Sequence, residues 1–173
     1  ITLSADSTID IANDKILTYD NASVSLGAHA LNVAGAGRLE FTDNQSALVL
    51  DEYNSLLNLS GNGYIGHVRI KATPTEDHGL MISGEGKPTL GKLALLVDTS
   101  LSVVSEFSVD EEIRVKDVTL TLKDSGALTS GLLLDNATLV VTDQPILTEE
   151  LNQLGSSRIQ LNEGAVLTSQ QAF

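Results

Sequence analysis

The chain has 173 residues, of which 42% are apolar and only 3% aromatic, and it contains no cysteine. Acidic residues outnumber basic ones by 23 to 10, giving a net charge of −13, and this disfavours nucleic acid as a partner because phosphate backbones would be repelled. The lack of cysteine excludes disulfides and thiolate metal sites, and no apolar run is long enough to predict a membrane span.

The first predicted strands are separated by a turn motif that returns far along the chain. "TYDNASVSL" (18–26) and "LLDNATLVV" (133–141) each read as a strand end, Asp-Asn, a small residue, Ser or Thr, and a new alternating apolar run. Asp and Asn tolerate left-handed backbone angles, and their short side chains bond local amides. The motif therefore predicts a sharp corner, placed at the same position in every coil. Full or partial copies begin at Asp20, Asp43, Asp98, Asp117 and Asp135.

A second turn motif, Gly-x-Gly, lies between the first copies. It occurs in "VAGAGRLEF" (33–41), "LSGNGYIGHV" (59–68) and "ISGEGKPTLGKL" (82–93). The middle copy also fits a phosphate-binding Gly-x-Gly-x-x-Gly pattern, but strand-like residues follow it where a helix would be required. We therefore interpret all three as corners with positive φ. The charged stretch 71–79 does not fit the period and is predicted to be a loop excursion.

The corners recur every 18 to 23 residues or so, with two or three short alternating segments in each period. This is typical of a β-solenoid, in which each coil buries its inward face against its neighbours. We predict an all-β, single-domain parallel β-helix over residues 1–173, with about seven to eight coils. The predicted inward residues are Leu26, Val33, Leu39, Leu50, Leu59, Ile65, Leu95, Val103, Leu120, Leu122, Leu134, Leu139, Val141 and Leu161.

One segment near the end of the chain is predicted to be helical, over residues 148–154. Thr148 fits the N-cap position, Leu151 and Leu154 are spaced to share a helix face, and Gly155 fits a stop. The segment is too short to be stable alone, so we expect it to pack as one side of a coil.

The pattern of short alternating strands and turn motifs in residues 7–44 and 116–141 resembles that of right-handed parallel β-helix proteins of the pectin-lyase-like type. More specifically, it resembles the passenger and stalk segments of bacterial surface adhesins. This resemblance implies an extracellular or cell-surface location and a non-enzymatic structural or adhesive role. The partners that we predict are flanking domains of a longer chain, or copies of the chain itself end to end, and a host or glycan receptor.

A second hypothesis is an extracellular filament subunit. The two terminal coils of a solenoid expose strand edges and a disc of aliphatic side chains, so copies of the chain can stack end to end. The predicted self-association residues are Ile9, Ile11, Val166 and Leu167.

A third hypothesis is a polysaccharide-active enzyme or a phage tailspike fragment. Such an enzyme needs carboxylates, or carboxylates with a basic residue, on one exposed strand face. The stretch "VDEEIRVKD" (109–117) offers Asp110, Glu112, Arg114 and Lys116. Ion pairing on a solvated strand explains the same residues, and we predict no catalytic site.

The aspartates of the corner motif are candidate ligands for a cation. Stacked carboxylates would repel one another unless a cation lay between them, and calcium prefers oxygen ligands. Asp20, Asp43, Asp98, Asp117 and Asp135 are therefore calcium candidates, while solvated turn-forming aspartates are the alternative. No other cofactor is predicted.

Overall fold

A computed structural model describes residues 1–73, 79–82, 86–102, 108–123, 126–142 and 145–171. Throughout these residues the fold is an all-β parallel β-solenoid of about seven turns, without a helix. The predicted fold class is confirmed. The chain divides into two compact units, Ile1–Gly91 and Lys92–Phe173, which are described in turn.

The first unit contains two parallel sheets, and its long strand β8 pairs with two different strands along its length. The first sheet has the order β1-β4-β7-β9, and the second contains β2-β5-β8 together with β3-β6-β8. β8 pairs through Tyr64 with β5 and through Val68 with β6. The strands are β1 (Ser7–Ile11), β2 (Ile16–Tyr19), β3 (Val24–Ser25), β4 (Ala30–Gly35), β5 (Arg38–Phe41), β6 (Leu48–Leu50), β7 (Leu56–Leu59), β8 (Tyr64–Ile70) and β9 (Gly79–Ile82).

The second unit also contains two parallel sheets. Their orders are β11-β13-β15-β17 and β12-β14-β16-β18. Strand β10 (Thr89–Leu95) follows β9 in the chain, and the boundary between the two units falls within it. The strands that follow it are β11 (Thr99–Ser102), β12 (Ser108–Lys116), β13 (Thr119–Lys123), β14 (Gly126–Asp135), β15 (Thr138–Val141), β16 (Pro145–Leu154), β17 (Arg158–Leu161) and β18 (Val166–Ser169).

The core of each unit consists of rows of aliphatic side chains that continue from coil to coil. In the second unit Leu120 pairs with Leu139, and Leu122 with Val141; all four are buried. The predicted inward residues are buried in the same way, apart from two. Val103 lies outside the described residues, and Leu161 is 50% exposed.

Leu161 is correctly placed in the inward row but is not covered. It pairs with the buried Val141, which shows that its side chain points toward the core. β17 is the last strand of its sheet, so no further coil of the described chain lies over Leu161.

The predicted helix at 148–154 is wrong, because these residues belong to strand β16 (Pro145–Leu154). Thr148 is not an N-cap. Its side chain is fully buried, and its hydroxyl donates to the Ser130 carbonyl at 3.4 Å. β16 has parallel neighbours on both sides, β14 and β18. Helix propensities differ by less than about 1 kcal/mol per residue, which is too little to compete with two ladders of backbone hydrogen bonds.

The spacing of Leu151 and Leu154 imitates a helix, but both residues lie in a regular stretch of strand. The register shift between β14 and β16 comes before them, between Leu128 and Gly131, and the pairing from Leu151 to Leu154 is continuous. Residues three apart in a strand point to opposite faces. Leu151 is buried, but Leu154 is 49% exposed. The two leucines therefore do not share a buried face.

The structure describes only the two ends of the predicted loop excursion at 71–79, so the excursion stays a prediction. The amide of Lys71 donates to the Leu50 carbonyl at 2.8 Å. Gly79 begins β9 and pairs with Leu56. Residues 74–78, the middle of the predicted excursion, lie outside the described part of the chain.

The Asp-Asn motif does not mark one position in every coil, contrary to the prediction. Asn21 lies between β2 and β3, which belong to the same sheet, whereas Asn136 lies between β14 and β15, which belong to different sheets. Both asparagines have φ of 49°. The motif therefore specifies a local left-handed bend, and the surrounding coil decides which strands the bend connects.

Two rows of left-handed residues stack in successive coils. We call them the glycine column in the first unit (Gly35, Gly61 and Gly86) and the Asx column in the second unit (Asp117, Asn136 and Gly155). The φ angles are 93°, 86° and 125° in the glycine column and 59°, 49° and 62° in the Asx column. The predicted positive φ of the Gly-x-Gly corners is confirmed at these three glycines.

Candidate functional site

The first-unit aspartates of the corner motif bond to their own corner or to the adjacent coil. Asp20 Oδ1 accepts from Thr42 Oγ1 at 2.7 Å. Asp43 Oδ2 accepts from Ser46 Oγ at 2.7 Å. The side chain of Ser46 and the amide of Gln45 hold the pKa of Asp43 below its usual value, because they donate to the ionised carboxylate.

The second-unit aspartates have comparable roles. Asp98 Oδ1 accepts from the Thr119 amide at 2.7 Å. Asp135 Oδ2 accepts from a terminal nitrogen of Arg114 at 2.8 Å. Asp117 supplies a left-handed backbone position with φ of 59°. These contacts join residues that are about one coil apart, so the corner side chains bind successive coils together.

The five calcium candidates are not brought together into one cluster. In the part of the chain that the structure describes, no group of three or more His, Cys, Asp or Glu side chains could hold a metal ion. Calcium binding at these aspartates stays a prediction.

The residues proposed for a polysaccharide-cleaving site lie along strand β12. Asp110 and Lys116 are exposed, and Glu112 and Arg114 are half-buried. The guanidinium of Arg114 is engaged by Asp135 of the next coil. The arrangement is that of a charged outer strand face with an ion pair across the ladder.

The four predicted self-association residues differ in exposure and direction. Ile9 and Leu167 are half-buried, Ile11 is only 7% exposed, and Val166 is 53% exposed. Leu167 pairs with the buried Ile146 and so belongs to the inward row. Val166 precedes it and lies in the outward row, so the terminal disc of the core does not include it.

An outward patch on the first unit was not anticipated from the sequence. The Arg38 guanidinium carbon lies 3.9 Å from the centre of the Tyr64 ring, and Arg38 Nε lies 2.6 Å from Glu40 Oε1. We call these three residues the Arg38 patch. At the ends of strands β2 and β5, the rings of Tyr19 and Phe41 stack with centroids 5.9 Å apart and planes inclined by 21°.

The ladder register and a glycine create the Arg38 patch. Arg38 pairs with Tyr64 across β5 and β8, which places the two side chains over one another on the same face. A Cβ at Gly91 would collide with the Tyr64 hydroxyl, so a glycine at this position leaves room for the ring.

A spacing signal could have revealed the Tyr19–Phe41 stack. The two residues are 22 positions apart, which equals the register offset between β2 and β5. In a solenoid, residues one such offset apart lie on the same face of neighbouring coils. Tyr64 gives no such signal, because the offset between β5 and β8 is 26 residues and pairs it with Arg38 instead of Phe41.

A small cavity lies behind the glycine corner of the first unit. Ile11, Gly35, Gly63, Tyr64 and Pro88 are among the residues that line it, and its volume is about 10 Å³. Such a volume holds at most one water molecule. The cavity is therefore a packing feature.

No protein-family model matches this chain, and neither a curated protein nor a solved structure matches it. Among the residues that the structure describes, no helix has the length and apolar character needed to cross a membrane.

Proposed function

We propose that this chain is a non-enzymatic structural and adhesive solenoid segment of a bacterial surface protein, and that it works outside the cell. The observation that carries the proposal is the Arg38 patch, a stacked Arg–Tyr pair with a neighbouring carboxylate on the outer face of a rigid ladder. The corner bonds between coils support the structural part of the proposal.

The Arg38 patch has the composition of a binding surface. Tyr and Arg are enriched among the residues that dominate binding energy, because each combines a broad apolar face with hydrogen-bonding groups. Strands fix the positions of Arg38, Glu40 and Tyr64, so little side-chain freedom is lost when a ligand binds. The ligand class we assign is a glycan, whose C–H faces suit an aromatic ring and whose hydroxyls suit a guanidinium–carboxylate pair.

A binding assay with immobilised polysaccharides tests the adhesive part. We expect the labelled chain to bind at least one bacterial or host glycan, and Tyr64→Ala to weaken that binding about tenfold, as for loss of one central aromatic contact. Tyr53→Ala is the matched control, because Tyr53 is 62% exposed and is not part of the patch. Equal binding by the wild type and Tyr64→Ala would contradict the assignment of the patch.

A turnover assay tests the non-enzymatic part. The chain is incubated with pectin and with the glycans that it binds, and new reducing ends or unsaturated products are measured over a day. We expect no more reducing ends or unsaturated products than in a control without the protein. Release that disappears in Glu112→Gln would favour the polysaccharide-active hypothesis instead.

A further inference from the structure

Asn62 differs from every other asparagine of the chain because a glycine follows it. It is exposed and comes directly after Gly61 of the glycine column. Ala36 and Lys87 hold the same place in the neighbouring coils, directly after the other two glycines of the column. Of these three corners, therefore, only this one has a side-chain amide.

A backbone N–H group of the next coil is bonded to this side-chain amide. The amide of Lys87 donates to Asn62 Oδ1 at 2.8 Å. A donor in this position draws electrons toward the oxygen, so the side-chain carbonyl carbon is more readily attacked by a nucleophile. The same N–H then stabilises the negative charge that develops on the oxygen during the attack, as a donor of an oxyanion hole does.

The backbone nitrogen of Gly63 is the nucleophile that can reach this carbon, because its attack closes a five-membered ring. Glycine has no Cβ that would obstruct the approach. Among the residues that the structure describes, the Gly63 amide donates no hydrogen bond. The attack therefore breaks no backbone bond of the coil.

We propose that Asn62 is a site of spontaneous deamidation in the folded chain, promoted by the Lys87 amide. The Gly63 nitrogen gives its proton to water and bonds to the Asn62 Cγ, while the bond from Cγ to the side-chain nitrogen breaks and ammonia leaves. The resulting succinimide takes up one water molecule. Hydrolysis at Cγ yields aspartate, and hydrolysis at the main-chain carbonyl yields isoaspartate. Water is the only co-reactant, and no oxidant or reductant takes part.

The two products affect the stack of coils differently. Aspartate keeps the backbone, and its carboxylate can accept from the same Lys87 amide. Isoaspartate adds one backbone bond of about 1.5 Å before Gly63. There is little room for this shift, since a Cβ at Gly63 would lie 3.0 Å from the Gly37 carbonyl oxygen, and the Gly63 carbonyl accepts from the Thr89 amide at 2.9 Å. Isoaspartate should therefore loosen the glycine column, whereas aspartate should not.

The reaction at Asn62 goes beyond the proposed function and requires no ligand on the Arg38 patch, so its test is separate from the glycan-binding assay. The folded 173-residue chain is incubated at neutral pH, and its peptides are followed by mass spectrometry. Asn21 is the matched control, because it is exposed, lies at a left-handed corner and is followed by alanine. We expect Asn62 to react at least about tenfold faster than Asn21, as for a barrier lower by about 1.4 kcal/mol. Equal rates at the two residues would overturn the proposal.

Two variants at Lys87 test the part played by its backbone amide. Lys87→Pro removes the N–H donor, and Lys87→Ala keeps it. In the folded chain we expect Lys87→Pro to react about tenfold more slowly at Asn62, as for loss of one oxyanion donor at an exposed site, and Lys87→Ala to react like the wild type. Circular dichroism checks that both variants fold.

Unfolding the chain in urea gives a second test of the Lys87 amide that needs no variant. The contact is absent in urea, so the wild type should lose Asn62 more slowly there than in the folded state at the same pH. Lys87→Pro and the wild type should react alike in urea. Equal rates for the two Lys87 variants in the folded chain, or a wild type that reacts as fast in urea, would overturn the role of the amide.

Pulse proteolysis of the aged chain tests the different effects of the two products. A short exposure to protease in urea, just below the unfolding midpoint of the fresh chain, digests only unfolded molecules. Isoaspartate at position 62 should be depleted at least about fivefold from the surviving chains, and aspartate should not. Asn62→Asp is the matched control, and it should unfold like the wild type. Equal depletion of the two products would contradict the predicted loosening of the glycine column.

Discussion

The glycine column of the first unit and the Asx column of the second reach the same left-handed backbone in different ways. A Cβ at Gly61 would collide with the carbonyl oxygen of Gly35, and a Cβ at Gly86 would lie 2.5 Å from the carbonyl carbon of Gly61. In the Asx column, by contrast, Asn136 has a side chain, and its Oδ1 accepts from the Ser156 amide at 3.0 Å.

Glycine is thus required for different reasons in the two units. In the glycine column the obstacle is backbone of the adjacent coil, which cannot move without shifting the whole ladder. At Gly155 the obstacle is the side chain of Asn136, which another residue can replace. The difference teaches that a left-handed corner can be made either by close backbone stacking or by a bonded side chain, with different tolerance to substitution.

The largest expected effect is at the glycine column. Gly61→Ala should lower the free energy of unfolding by about 3 kcal/mol or prevent folding, because the methyl group meets backbone and the φ of 86° is strained for alanine. Urea unfolding followed by circular dichroism measures it. Gly66→Ala is the control: its nearest neighbour would be 3.5 Å away, and a loss equal to that of Gly61→Ala would contradict the argument.

Gly155→Ala should cost about 2 kcal/mol, since it combines a left-handed φ with a collision against the Asn136 side chain. In the background of Asn136→Gly the same substitution should cost only about 1 kcal/mol, because the collision is gone and only the φ strain remains. A double-mutant cycle measures this coupling. Additive effects would mean that the Asn136 side chain is not the obstacle at Gly155.

Asn136 itself contributes through its φ and through its bond to Ser156. Asn136→Ala should lose about 1–2 kcal/mol, and Asn136→Gly less than about 1 kcal/mol, because glycine keeps the left-handed angle. Thermal unfolding of both variants checks the order. If alanine were the better tolerated of the two, the left-handed angle could not be the main requirement at this position.

The smallest expected effect concerns pH at the Asp43 corner. Its pKa is lowered in the folded chain from 3.8 by the Ser46 side chain and the Gln45 amide. The ionised carboxylate therefore stabilises the fold above about pH 4, and this contribution is lost as pH falls through the lowered pKa. The melting temperatures of the wild type and Asp43→Asn should differ slightly at neutral pH and converge in acid, once the pH is below the lowered pKa. A difference in melting temperature that grows as the pH falls would contradict the predicted stabilisation by the ionised carboxylate.

The features that could be predicted from the sequence are those that depend on neighbours in the chain. The alternation of Leu120 and Leu122 predicted buried strand positions, and the Gly-x-Gly repeats predicted positive φ. Both follow from local backbone preference combined with a repeat. The coil period then predicted the parallel stacking.

The features that could not be predicted depend on contacts between coils. Strand β16 was mistaken for a helix because its ladders with β14 and β18 are not visible in a local pattern. The Arg38 patch was missed because Arg38 and Tyr64 are 26 residues apart in sequence, and only the register places them together. Which strands an Asp-Asn bend connects depends on the coil around it in the same way.

The different obstacles behind the two columns have a consequence for divergence among related sequences. A position blocked by backbone, such as Gly61, has no compensating substitution, so every relative that keeps this coil should keep the glycine. Gly155 is blocked by a side chain, so it should vary together with position 136: a larger residue at one should accompany a smaller residue at the other. An alignment of relatives would show an invariant glycine column in the first unit and a covarying pair in the second.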